Sequence, residues 1–254
     1  MTATAARPDL RSRIGDAEWA TRVELAAAYR LVALYGWDDL IYTHISARVP
    51  GTEDFLINPY GMLFEEIRAS DLVKVDLEGN VLEETPYPVN PAGFTIHSAV
   101  HSAREDVGSV LHLHTVNGVA VSCHEAGLLP LNQTAMLVRE EVAYHEYEGV
   151  AFNLDERPRL IADLGTKSMM LLRNHGTLTT GRTVGEAFHS MYYLERACAM
   201  QVAALAGGTP LHHPSEAVQR LVTRQAQAGM DSVARLAWQG LIRKLDREQP
   251  DYKT

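Results

Sequence analysis

The run Gly108-Ser109-Val110-Leu111-His112-Leu113-His114 restricts the fold more than any other stretch of this chain, because its apolar and polar side chains alternate with a period of two. In an extended strand residues two apart share a face. His112 and His114 therefore project together while Leu111 and Leu113 point the other way, the spacing that a chelating pair on a strand requires. A second strand, Ser168 to Arg173, stops at Asn174-His175-Gly176, and Thr177 to Thr180 starts a returning strand past the Gly176 kink.

Helical patterns separate these strands. Apolar spacing from Trp19 to Tyr35 predicts an amphipathic helix stopped by Gly36. Ile41 to Val49 and Asp54 to Ile57 read as strands across a Pro50-Gly51 turn, and Leu72 to Val75 with Val81 to Glu83 as a small hairpin around Glu78-Gly79-Asn80. Asn90-Pro91 has the grammar of a helix start, with Asn as N-cap and Pro at the first position, and the helix runs to about Ala103. Thr183 and Glu186 form a capping box for a helix of roughly six turns that ends at Gly207-Gly208. Pro214 to Leu245 reads as two helices interrupted near Gly229, with Leu236, Leu241, Ile242 and Leu245 on one stripe that fits an interface or, more commonly, a core. The expected organisation is a flexible N-terminus over residues 1–18, one α/β domain over 19–210, and a helical extension of it over 211–254.

Composition narrows the function. At 254 residues, 46% hydrophobic and 22% charged, the chain is long enough for a substantial core and unlike a disordered one. A net charge of -9 without a basic stripe disfavours nucleic acid. No segment approaches the ~18 apolar residues that span a bilayer, and the first fifteen residues lack the apolar centre of a secretory signal. Two cysteines, Cys123 and Cys198, suit a reducing compartment, so the expected location is the cytoplasm.

The eleven histidines carry the chemistry. His112 and His114 are placed to meet one Zn²⁺-like ion, the alternative being a hydrogen-bonded core pair. His175, at a strand end before a glycine, is the natural third ligand, although a histidine there is more often a surface residue. His97 and His101, four apart on a helix, share a face as zinc pairs do, but without an H-E-x-x-H pattern such faces are more often packed or solvated. His212 and His213 fall in a linker, and His124, His145 and His189 carry no spacing signal. Neither a Gly-rich phosphate loop nor a nucleophile elbow is visible.

With these residues in view, the chain resembles the class II aldolase/adducin family over roughly residues 20–210. The resemblance is carried by Asn58-Pro59-Tyr60-Gly61, the stretch from Ala92 to Ala99, Val110 to Thr115, Leu172 to Gly176, and, in the manner of the adducin head domain and its bacterial relatives, Val142 to Tyr147. It implies an α/β fold of three α/β/α layers around a mostly antiparallel central sheet, like that of fuculose aldolase. It also implies one divalent ion per subunit, zinc first with manganese or iron as alternatives, held by His112, His114 and His175, and a homotetramer with its sites at subunit interfaces. Tyr144 matches a tyrosine that some of these aldolases use as proton donor, the alternative being an ordinary half-buried tyrosine.

The departures limit what carries over. The aldolases place a ligating, acid/base Glu where this chain has Gly93, and glycine does neither. Their phosphate-holding serines correspond to Pro91 and Ala92, and the phosphate-binding Asn to His44. The expected function is therefore a divalent-metal-dependent lyase, decarboxylating or cleaving a C–C bond in a small carboxylated substrate and not a phosphosugar. Arg48 and Arg173 are possible carboxylate partners. A non-haem Fe(II) oxygenase and a non-catalytic, adducin-like scaffold are the alternatives.

Overall fold

The computed structural model describes residues 10–150, 153–227 and 230–254. Its elements, in chain order, are α1 (Leu10–Arg13), α2 (Asp16–Leu34), β1 (His44–Arg48), β2 (Phe55–Ile57), β3 (Val73–Val75), α3 (Pro91–Ala103), β4 (Ser109–Leu113), α4 (Val116–Ser122), α5 (Gln133–Val138), β5 (Val142–His145), α6 (Arg157–Leu164), β6 (Met169–Leu172), β7 (Gly176–Gly181), α7 (Val184–Ala206), α8 (Glu216–Gln227) and α9 (Met230–Glu248). The seven strands form one sheet in the order β3-β2-β1-β4-β7-β6-β5. Every neighbour is antiparallel except the β5–β6 pair. This is the three-layer, mostly antiparallel α/β arrangement expected.

The period of two in β4 decides which layer covers which face. Leu111 and Leu113, both fully buried, enter a core with Leu25, Leu31 and Phe188 of α2 and α7, and such a burial contributes roughly 1.5–3 kcal/mol per side chain. Val110 points the other way and packs with Ile96 and Val100 of α3 and Leu160 of α6. Tyr29 of α2 pins β1 from below: its hydroxyl accepts hydrogen bonds from Ile45 N (2.8 Å) and Asn58 N (3.1 Å), which gives the Asn58-Pro59 turn its place in the structure. From the C-terminal pair, α9 lays Trp238 on Gly185, where even a Cβ would stand 2.5 Å from the indole.

Local signals set most boundaries. Asn90 Oδ1 accepts from Ala92 N (3.1 Å) with Pro91 at the first position of α3. Thr183 Oγ1 accepts from Glu186 N (3.1 Å), but the Glu186 carboxylate reaches Arg182 N (3.0 Å), one residue before the usual capping-box target. Four expectations shift. Helix α2 begins at Asp16, not Trp19, and α1 lies within residues expected to be flexible, while residues 1–9 of that segment are outside the described residues. The strand expected from Ile41 starts only at His44, because Leu40 and Thr43 hold φ of 51° and 67°, outside the extended region. The hairpin after β3 shrinks to one bridge between Val75 and Val81. Of the C-terminal stripe, Leu245 is buried and Leu241 and Ile242 pack on the core, which leaves Leu236 exposed; the break expected near Gly229 falls outside the described residues. Among the described residues no helix is long and apolar enough to cross a membrane.

Candidate metal centre

Antiparallel pairing of β4 with β7 brings the three sequence-selected histidines together. His112 lies in β4 and His114 just beyond it; Leu113 pairs with Thr177, so the β6–β7 turn carrying His175 arrives beside both. Asn174 makes that turn with φ of 57°, a conformation Asn tolerates. Gly176 permits the approach, since a Cβ there would stand 2.6 Å from the Leu113 carbonyl and 3.0 Å from the His114 ring. One nitrogen from each of His112, His114 and His175 lies within 4.8 Å of the others.

The far nitrogens fix what the near ones can do. His112 Nδ1 meets the Thr177 carbonyl at 3.0 Å and His114 Nδ1 meets Asp39 Oδ2 at 3.0 Å. A carbonyl and a carboxylate only accept, so both Nδ1 atoms carry the proton. When both rings are neutral, both Nε2 atoms present lone pairs, 3.1 Å apart. Two lone pairs so placed repel, and a cation between them turns the repulsion into attraction. Ligand bonds of about 2.0–2.1 Å in a tetrahedral shell separate neighbouring nitrogens by roughly 3.3 Å, close to this spacing. Burial, with the neighbouring imidazoles second, holds His112 well below its ordinary value, and burial brings His175 down to about 4. Neutral imidazoles are what metal ligands must be, and burial favours that form at His112 and His175.

Among the described residues no carboxylate belongs to this group. Gly93 stands at the start of α3, and a Cβ there would lie 2.6 Å from His44 Cδ2 and 3.0 Å from His44 Nε2. His44 thus fills the volume that a side chain at 93 would enter. It pairs in register with His112, and the two rings are 5.0 Å apart. His97 and His101 do not chelate: His97 Nε2 meets His44 Nδ1 at 2.9 Å, Ser46 Oγ bridges His97 Nδ1 and His101 Nε2, and Phe55 stacks on His101.

Tyr144 is placed elsewhere within this chain. Its hydroxyl accepts from Leu128 N (3.0 Å) against Gly127, and its ring lies under Arg173 at 4.5 Å. Tyr147, half-exposed and missed in the sequence, has its ring 6.1 Å from His175. Arg173 donates to the carbonyls of His124 and Glu125, and Arg48 to those of His101, Arg104 and Val107, so both are engaged away from the trio. Asp39 was also missed, having no spacing signal 75 residues from the histidine it orients.

A mostly antiparallel sheet between helical layers, with three convergent imidazoles that could hold a metal ion at the end of its central strands, defines an α/β protein of the class II aldolase type. A family model described as Class II Aldolase and Adducin N-terminal domain matches residues 23–202, and the chain belongs to that family. A Caulobacter vibrioides protein named as a class 2 aldolase protein is 60% identical over 245 residues, covering 96% of this chain and 95% of that protein. Alpha-adducin of Rattus norvegicus is 46% identical over 189 residues, covering 73% of this chain but only 26% of the adducin. Among solved structures, an L-fuculose 1-phosphate aldolase from Glaciozyma antarctica superposes with a TM-score of 0.80 at 28% identity, covering 93% of each chain.

Two outcomes follow from the buried imidazoles. Burial is the first cause holding His44, His97 and His112 well below their ordinary value of 6.5 and His101 at about 3. The unfolded chain takes up protons on these residues near pH 6.5, which the folded chain refuses until its own lower values. Stability is therefore complete above pH 6.5 and falls below it, by up to about 1.4 kcal/mol per pH unit per histidine. The urea midpoint of metal-free protein should be level from pH 7 to 8 and drop steeply from 6.5 to 4; a level profile over that lower range would contradict neutral burial. Gly93→Ala should lose about 1–3 kcal/mol through overpacking, and most of that loss should vanish when it is measured in a His44→Ala background, a coupling that a double-mutant cycle reads directly.

Proposed function

We propose that this protein is a divalent-metal-dependent lyase that decarboxylates, or cleaves a C–C bond in, a small carboxylated substrate that is not a phosphosugar. The observation that carries the reading is the pair of converging Nε2 lone pairs of His112 and His114, completed by His175, in a cluster without a carboxylate ligand. An ion held there supplies Lewis-acid polarisation of a bound oxygen. Imidazole binds a metal in its neutral form, so three such ligands would leave the charge of a divalent ion uncompensated, and this favours an anionic, chelating substrate such as a 2-hydroxy or 2-oxo acid. Decarboxylation suits the site further, since it needs no carbon-bound proton removed first and Gly93 provides no base.

Zinc is the ion we assign first, with manganese or iron as alternatives. Asp39 holds the His114 ring and its proton, and the Thr177 carbonyl does the same for His112, so that both Nε2 atoms stay aimed at the centre. Tyr144 keeps a proton-donor role only if its hydroxyl leaves Leu128 N or serves the centre of another subunit. That assembly is the homotetramer we propose, with Leu40, Tyr42 and Val116 as contact residues: all three are exposed, Val116 at 84%, and they flank Asp39 and His114 in sequence. Residues 19–210 form the domain and 211–254 its extension in this reading. Free Cys123 and Cys198 accord with the cytoplasm.

Metal content by mass spectrometry on untagged protein tests the reading. About one ion per chain is expected in the wild type and none in His112→Ala or His175→Ala, with affinity lowered about 10–100-fold in Asp39→Asn. The loaded wild type should then release carbon dioxide or a carbonyl product in a screen of small carboxylates. A folded wild type that takes up no metal would sink the lyase and favour an adducin-like scaffold, whereas native iron would redirect the search to oxygen chemistry.

A further inference from the structure

Helix α7 meets the end of the sheet with three residues spaced by four, which one helix face presents in a row. The Ala187 carbonyl accepts from Thr179 Oγ1 at 2.9 Å, and Met191 Sδ lies 3.3 Å from Thr177 Oγ1. These two contacts follow β7 back toward its start, beside the trio. The third crosses to the segment just past His114: the Glu195 carboxylate accepts from Thr115 Oγ1 on one oxygen and from Asn117 Nδ2, at 2.7 Å, on the other.

Glu195 is 4% exposed, and among the described residues no cation pairs with it, since both of its donors are neutral groups. Burying a carboxylate without a paired cation is costly. An apolar side chain would fill the same place without that cost, so packing alone does not account for it. What the carboxylate holds is a corner of the chain. Thr115 is buried, and its hydroxyl accepts from Gly118 N at 3.2 Å as the N-cap of α4 while it donates to Glu195. The fit is tight, for a Cβ at Gly118 would stand 2.5 Å from Thr115 Oγ1 and 2.6 Å from Thr177 Cγ2.

His114 sits between two anchors. Before it, Leu113 pairs with Thr177, whose Oγ1 is 3.2 Å from the Leu113 carbonyl; after it, Thr115 is held by α7. Its side chain is 26% exposed, and Asp39, which meets its Nδ1, is 45% exposed. A half-exposed loop carboxylate orients the ring but does not fix the backbone that carries it. We propose that Glu195 is a positioning residue of the metal centre: from α7 it fixes Thr115 and the start of α4, and so aims His114 at the point shared with His112 and His175. It acts through Thr115 and stands outside the ligand group. The ion rests on the reading of the trio given above; the anchoring of His114 does not.

Two measurements separate this role from packing. In metal-free protein, three-bond couplings across χ1 of His114 should report one rotamer in the wild type and averaging in Glu195→Ala and Thr115→Val, whereas Thr115→Ser, which keeps the hydroxyl, should stay close to the wild type. Zinc affinity, read by competition with a chelator, should fall about 10–100-fold in Glu195→Ala and less in Glu195→Gln, which keeps an acceptor for Thr115. A residue that only packs would lower the urea midpoint and leave both readings alone, so a His114 rotamer or a zinc affinity unaltered by Glu195→Ala overturns the proposal. If Glu195→Ala fails to fold, the same readings on Glu195→Gln and Thr115→Val decide it. A wild type in which the His114 rotamer depends on Glu195 but which takes up no zinc would fail the metal-centre reading and leave the anchoring of His114 standing.

Discussion

The hydrogen bond from His112 Nδ1 to the Thr177 carbonyl joins the sheet to its chemistry. The acceptor is backbone of β7, the strand that pairs with β4, so the register that buries Leu111 and Leu113 also fixes the tautomer of the imidazole between them. A one-residue slip would turn His112 into the α2–α7 core and unmake the fold and the site together. His114, beyond the last pair of β4, has no strand partner to orient it and relies on Asp39 instead. The two tethers differ in kind, one a ladder neighbour and the other a loop carboxylate, but each leaves a lone pair on the nitrogen aimed at the centre.

What the sequence disclosed follows from the range of each interaction. Period-two alternation in β4, the Asn90-Pro91 start of α3 and the Thr183 cap of α7 are local events, and all three stand where their residues predict. The trio was legible because two of its members are strand neighbours and the third precedes a glycine at a strand end. Asp39 and the approach of His44 to Gly93 depend on pairing across many residues and leave no local pattern. His97 and His101 show the opposite failure: their helical spacing is real, but it serves to grip Ser46 of β1 from one face of α3.

The stretch between α2 and β1 is where the chain accepts strain. Leu40 and Thr43 both hold positive φ, and Thr43, β-branched, is also buried with an unpartnered hydroxyl. Such positions cost of order 1–3 kcal/mol and persist only where the surroundings impose them. Here the imposed geometry delivers Asp39 to His114 at one end of the stretch and starts β1 with His44 against His112 at the other. Extended backbone from Ile41, which the residue pattern favours, would lengthen β1 and change the path from Asp39 to the sheet.

Positions 44 and 93 are sterically coupled. An imidazole at 44 and a side chain at 93 compete for the same volume, so the glycine at 93 and the histidine at 44 are sterically linked. Where the family resemblance implies an anionic ligand, this chain has Gly93 and beside it an imidazole that is already hydrogen-bonded to His97. A divalent ion among neutral imidazoles draws anions more strongly than one partly neutralised by a carboxylate, and the group that would have abstracted a proton is gone. Both considerations support the substrate class we propose, acids whose bond cleavage begins without deprotonation at carbon.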